Sequence, residues 1–211
     1  MNVDKNNPVY AQIDGVLFDK AMTTLILYPQ GKKGDYTVPD TVVEIDARAF
    51  HGCKDLTRIT FSQGVMRCYV NMFSGCEQLA GIMVHDDNSI FSSIDGICFD
   101  KERRILHQYP QGNDKTKYIV PDGIVRIEGM AFSDCKCLTE IILPESLKYI
   151  ENYVFSGCEK LTAITLPMGL EYLGKCVFED CLNLETIMLS RNTKMGHKAL
   201  EGFSGKLVYR D

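Results

Sequence analysis

The sequence predicts an α/β solenoid of short, stacked parallel strands with two inserted β-hairpins, and three observations carry that prediction. First, Phe50 and Phe73 lie 23 residues apart, as do Phe132, Phe155 and Phe178. Second, other columns keep the same period: Cys53, Cys76, Cys135, Cys158 and Cys181 follow the phenylalanines by three residues, then Leu56, Leu79, Leu138, Leu161 and Leu184, then Ile59, Ile82, Ile141, Ile164 and Ile187. A fixed long period of apolar residues means that each unit is one coil unable to bury its own hydrophobic stripe, so successive coils bury it against each other. Third, Tyr10-Ala11-Gln12-Ile13-Asp14-Gly15-Val16-Leu17-Phe18-Asp19-Lys20 recurs 81 residues later as Phe91-Ser92-Ser93-Ile94-Asp95-Gly96-Ile97-Cys98-Phe99-Asp100-Lys101.

Taken in order, residues 9–37 read as a hairpin module. Asp14-Gly15 is a tight-turn signal, and Val16-Leu17-Phe18 and Leu25-Ile26-Leu27-Tyr28 read as paired strands around a connection at Asp19 to Thr24. Residues 38–84 hold two repeats, 85–119 the second hairpin module, and 120–189 three further repeats. Each repeat ends in Leu-x-x-Ile-x-(apolar), whose period-two alternation is that of a short strand. The Phe-x-x-Cys segment, as in Ala49-Phe50-His51-Gly52-Cys53, is expected to form one helical or 3₁₀ turn, the α component of the class. From 190 to 211 the pattern decays: Phe203 stands for the cysteine and Leu207-Val208-Tyr209 reads as a last strand, which suits a C-terminal cap. Val3 aligns with Val84, so the chain is expected to be either a piece of a longer array or capped by a minimal strand at Val3. The whole chain, 1–211, is expected to be one solenoid domain.

Composition narrows the function. A formal net charge of −5 leaves no broad electropositive face, so nucleic acid is a poor partner. No run approaches the roughly 18 apolar residues needed to span a bilayer, so this segment is not expected to insert into a membrane. The in-phase cysteines read as small buried side chains repeated each turn, because a catalytic thiol needs one special place; Cys98 matches Leu17 and reads as core, while Cys68 and Cys176 fall out of phase with the Phe-x-x-Cys unit. Cys135-Lys136-Cys137 has the wrong spacing for a zinc site. His51, His85, His107 and His197 share no ligand spacing and read as surface. His85-Asp86-Asp87-Asn88 lacks the ligand spacing and turn glycine of a calcium loop and reads as a solvated loop. No phosphate loop, dinucleotide fingerprint or nucleophile elbow occurs. No catalytic, cofactor or metal site is expected.

The unit Ile-x-x-x-Ala-Phe-x-x-Cys-x-x-Leu-x-x-Ile-x-Leu-Pro resembles the BspA-like class of leucine-rich repeats. Residues 120–189 carry the resemblance most fully, with Ala131-Phe132-Ser133-Asp134-Cys135 and Leu161-Thr162-Ala163-Ile164-Thr165-Leu166-Pro167; in 38–84, Val70 and Met72 depart from the pattern. The resemblance implies a right-handed, horseshoe-like solenoid of bacterial surface or secreted proteins associated with adhesion, and hence an extracellular or cell-surface location.

The expected interaction surface is the exposed side of the strands. The residue between the two inward positions is Thr60, Met83, Ile142, Thr165 and Met188, three of them apolar, with Arg58 and Glu140 one alternation step away. An apolar row on an open sheet marks a protein- or glycan-binding face; strand propensity, or cover by a neighbouring element, selects the same residue types. The functional expectation is a non-catalytic binding module, and the alternative is an architectural spacer without a ligand of its own.

Overall fold

The computed structural model describes residues 3–210, in two compact units, Met1–Lys101 and Glu102–Asp211. In the first unit β1 (Tyr10–Ile13) and β2 (Val16–Asp19) pair antiparallel. Their connection is Asp14-Gly15 with φ of 49° and 83°, the left-handed pair that a two-residue hairpin turn requires. The next strand, β3 (Thr24–Leu27), returns antiparallel to β2, which is the pairing expected around Asp19 to Thr24. The chain then winds through β4 (Gly34–Thr37), β5 (Glu44–Ile45), β6 (Leu56–Phe61) and β7 (Gly81–Val84). Here β5 lies parallel to β3, and β4, β6 and β7 form a parallel sheet. The duplicate hairpin, β8 (Phe91–Ile94) and β9 (Ile97–Asp100), ends the unit.

The second unit contains β10 (Ile105–Gln108), β11 (Lys117–Ile119), β12 (Arg126–Ile127), β13 (Glu140–Ile142), β14 (Tyr149–Ile150), β15 (Ala163–Thr165), β16 (Tyr172–Leu173), β17 (Thr186–Ser190), β18 (Lys194–Met195) and β19 (Lys206–Arg210). Even-numbered strands pair in parallel as one sheet, and odd-numbered strands as another. The sequence period is therefore a spatial one: residues 23 apart, such as Glu140 and Ala163 or Ile164 and Ile187, face each other across adjacent strands.

The repeated columns form the interior. Phe50, Phe132, Phe155 and Phe178 are fully buried, as are Leu56, Leu138 and Leu161. In the second unit the rings stack along the coils, with centroids 5.1 Å apart for Tyr109 and Phe132, 5.4 Å for Phe132 and Phe155, and 5.6 Å for Phe155 and Phe178. In the first unit Tyr28, Phe50 and Phe73 do the same at 5.3 and 5.5 Å. Tyr28 and Tyr109, each opening a Tyr-Pro-Gln-Gly segment at 28–31 and 109–112, thus supply the first rung of each aromatic ladder. Gln30 and Gln111 extend this role, each donating its amide to a turn carbonyl of the following coil, at His51 and Ser133.

The α component of the predicted class is absent: among the described residues there is no helix, and the architecture is an all-β solenoid. Hydrogen bonding gives the reason. Within the Phe-x-x-Cys segments the local bonds are single i to i−3 turns, as from Cys158 N–H to the Phe155 carbonyl. The remaining amides bond to the next coil: Phe132 N–H donates to Val154, Asp134 to Ser156, Phe155 to Val177 and Gly157 to Glu179. Donors committed to a neighbouring coil cannot build an i to i−4 ladder. Left-handed residues at both ends of the turn, such as Tyr153 (φ 58°) and Gly157 (φ 73°), also prevent propagation.

Candidate interaction surface

The odd-numbered sheet of the second unit presents two outward rows. One runs Ile119, Ile142, Thr165, Met188 and Val208, with Ile119 paired to Ile142, Thr165 to Met188, and Met188 to Val208. Ile119 is 60% exposed and Ile142 40%, while the alternate positions on the same strands are half-buried at Tyr118 and buried at Ile141. The second row runs Lys117, Glu140, Ala163, Thr186 and Lys206, and Lys117 and Glu140 pair at 2.9 Å. A depression of about 600 Å³ lies over this face, lined among others by Glu140, Ile142, Glu145, Ala163, Thr165 and Pro167.

In the first unit the corresponding face carries Thr60 and Met83, opposite each other in register. Met83 is 43% exposed, and Arg58 lies beside them, 3.2 Å from Asp35. A depression of about 750 Å³ there is lined by Asp35, Arg58, Gly81, Met83, Ser93 and Asp95 among others. The seven residues singled out in the sequence accordingly divide between two surfaces: Arg58, Thr60 and Met83 on one unit, Glu140, Ile142, Thr165 and Met188 on the other. Sequence reasoning missed Ile119 and Val208, which extend the second row. Ile119 lies 23 residues before Ile142, so the period itself points to it.

The even-numbered sheet has a different outward face. Arg126 lies 4.9 Å from the Tyr149 ring centroid and 2.6 Å from Glu151, and the Tyr149 hydroxyl donates to Glu171 at 2.8 Å. Its polar groups already satisfy one another, so this face offers less unused recognition chemistry than the aliphatic one.

The five in-phase cysteines are committed to packing. The thiols of Cys76, Cys158 and Cys181 donate to the carbonyls of Phe50, Phe132 and Phe155 in the preceding coil at 3.0–3.1 Å. Burial pushes Cys53 up to about 11 and Cys76 and Cys181 to about 12, and Cys135 and Cys158 well above the ordinary thiol value. At neutral pH these groups are thiols, and the thiolate is the nucleophile and metal ligand. A small thiol reagent added to the native protein is expected to reach the half-buried Cys68 and Cys137 first, and Cys53, Cys76, Cys158 and Cys181 only on unfolding. Rapid native labelling of Cys158 would contradict this. Two cysteines are better placed by the structure than by the sequence: Cys176 takes the left-handed turn position held by Tyr153 one coil earlier, and Cys68 packs against the hydrophobic core. The expected solvated loop at His85-Asp86-Asp87-Asn88 needs correction at its last member, because Asn88 is fully buried. Its amide is fixed by coil carbonyls, which removes it from solvent. Among the described residues no His, Cys, Asp and Glu side chains gather as a metal site, and no helix is long and apolar enough to cross a membrane.

Comparison with known proteins places this geometry. No curated protein matches the chain. A leucine-rich repeat protein from Eubacterium ventriosum ATCC 27560 superposes with a TM-score of 0.70 at 20% identity, over 77% of this chain and 43% of that one. A leucine rich cell surface protein from Faecalibacterium prausnitzii A2-165 gives 0.63 at 26% identity, over 89% and 60%. The pneumococcal vaccine antigen PcpA gives 0.60 at 22% identity, over 84% and 57%. The chain therefore spans less than two thirds of each of these proteins. Residues 32–113 and 109–208 match the BspA type leucine rich repeat region, in 6 copies. With residues 32–208 matched and the solenoid geometry in place, the chain belongs to the BspA-type leucine-rich repeat family.

Proposed function

We propose that the chain is a non-catalytic binding module of a bacterial surface or secreted protein, and that it binds a protein ligand on the outward face of the odd-numbered sheet. The observation that carries this reading is the aliphatic row Ile119, Ile142, Thr165, Met188 and Val208, continuous in register across five strands and partly exposed along its length. A flat apolar ridge bordered by a charged row has the anatomy of a protein interface, apolar at the centre and polar at the rim. Glycan recognition remains the secondary reading. A protein ligand fits better because this ridge consists of aliphatic, threonine and methionine side chains, without the aromatic platforms on which sugar rings stack. Location at the cell surface draws support from the fold shared with a leucine rich cell surface protein.

The test compares the wild-type chain with an Ile142→Lys, Met188→Lys variant on panels of extracellular proteins and glycans, with circular dichroism checking that both are folded. Binding of one panel protein by the wild type, weakened at least about tenfold by the substitutions, is the expected result. Absence of any ligand would favour a spacer, and a ligand that the variant keeps would place binding on a different surface.

A further inference from the structure

The outward faces of the two units share a repeat position, and they differ in what fills it. In the first unit Arg58 on β6 lies opposite Gly81 on β7. Arg58 Nε pairs with Asp35 at 3.2 Å, and the same carboxylate accepts from the Thr57 hydroxyl at 2.6 Å. A side chain on Gly81 would meet Arg58 Cγ at 3.5 Å and Cδ at 3.8 Å. The arginine thus lays its methylenes beside the smallest residue of the row and sets its charged head on a carboxylate. The second hairpin turn closes over the same spot, since a side chain on Gly96 would meet Gly81 Cα at 3.0 Å.

The equivalents of Asp35, Arg58 and Gly81 in the second unit are Lys117, Glu140 and Ala163, each 82 residues further along. Glu140 lies opposite Ala163 as Arg58 lies opposite Gly81, but the ion pair is reversed, with Lys117 reaching Glu140 at 2.9 Å. The cation has moved to the strand before. Ala163 therefore has Glu140 on one side and Thr186 on the other, and no basic side chain lies opposite it in register.

The depression of about 600 Å³ on this face opens at that position. Its charged lining residues are Glu140 and Glu145, both carboxylates. Lys117 balances the first, while Glu145 has no ion-pair partner among the described residues. In the free chain Glu145 is exposed and hydrated. A protein laid over the ridge of Ile142, Thr165 and Met188 would strip that water away, and a carboxylate desolvated without a partner is costly. A ligand that covers the depression must therefore bring a positive charge to it, whereas an acidic or apolar side chain there would oppose binding.

We propose that this depression receives one basic side chain, a lysine or arginine, from the protein ligand assigned above to the odd-numbered face; the inference rests on that assignment. The methylenes lie on Ile142, Ala163 and Thr165, and the charged head pairs with Glu145 and, alongside Lys117, with Glu140. The incoming residue supplies from outside what Arg58 supplies within the first unit: an aliphatic stem over the small residue of the row and a cation on a carboxylate.

The test selects a displayed library of random linear peptides on the full chain and measures the selected peptides on Glu145→Gln, Glu145→Lys and the Ile142→Lys, Met188→Lys variant. Glu145 is exposed, and circular dichroism and thermal melting of its variants should match the wild type. The selected peptides should share a lysine or arginine at one aligned position and bind Glu145→Gln at least about tenfold more weakly. Norleucine at that peptide position should weaken binding to the wild type by a similar factor and to Glu145→Gln by little more, because both changes remove one interaction. Glutamate there should restore binding to Glu145→Lys. Peptides that lose the Ile142→Lys, Met188→Lys variant but share no basic residue, or that bind Glu145→Gln like wild type, would overturn this inference and leave the face an interface. Peptides that bind the Ile142→Lys, Met188→Lys variant unchanged, or a selection that yields none, would overturn both.

Discussion

Phe155→Ala should cost about 3–5 kcal/mol of folding stability, the range for removing a fully buried aromatic ring from a core. Phe155 has no exposed surface and sits between Phe132 at 5.4 Å and Phe178 at 5.6 Å. In a globular core, neighbours on many sides can relax into the space. Here the flanking rings belong to coils fixed by hydrogen bonds between the turns of neighbouring coils, from Phe155 N–H to the Val177 carbonyl and from Phe132 N–H to that of Val154. Collapse would have to shorten the coil spacing, which those bonds set, so the cavity persists and the upper part of the range is expected. Urea denaturation measures the loss. Thr165→Ala serves as the control: its side chain projects outward from β15, and surface substitutions of this sort stay within about 0.5 kcal/mol. Similar losses at both positions would mean that the assigned strand phase is wrong.

The legibility of this molecule in its sequence follows from which interactions repeat. Side chains that must meet a copy of themselves one coil away return at the period, so the Phe, Cys, Leu and Ile columns could be read directly and their burial follows. The outward row was legible for the same reason, since Ile-x-(apolar) fixes which residue points away. What stayed hidden depends on partners that do not repeat in kind. Tyr28 and Tyr109 hold the aromatic column with a different residue inside an apparent hairpin motif, so their place in the ladder did not show. Backbone donors carry no side-chain signature. Nothing in Ala-Phe-x-x-Cys reveals that Phe132 N–H bonds to the next coil, and a helical turn was the natural expectation for so short a segment.

Asn88 is the sharpest instance of the hidden kind, and its loss should be nearly as costly as that of a ring. Fully buried, it donates to the Ser62 and Val65 carbonyls and accepts from the Ile90 and Phe91 amides, at distances of 2.7–2.9 Å. One side chain thereby ties the end of a solenoid coil to the start of the second hairpin. Net contributions of about 0.5–1.5 kcal/mol per bond, together with the desolvation of groups left unpaired, put Asn88→Ala at about 3 kcal/mol or more. Asn88→Asp should be no better. A carboxylate keeps the acceptors for Ile90 and Phe91 but offers no donor, and it sets negative charge against two carbonyl oxygens in a buried site. The duplicate supplies the control within the same chain. Asn7→Ala removes the equivalent two accepting bonds in an exposed turn and should cost about 1 kcal/mol or less in dilute monomeric protein. Hydrogen exchange adds a spatial prediction: in Asn88→Ala the β8 and β9 amides should lose protection before those of the coils, because the coil-to-hairpin link is the contact removed. Equal effects at Asn7 and Asn88 would show that burial against the coil contributes nothing.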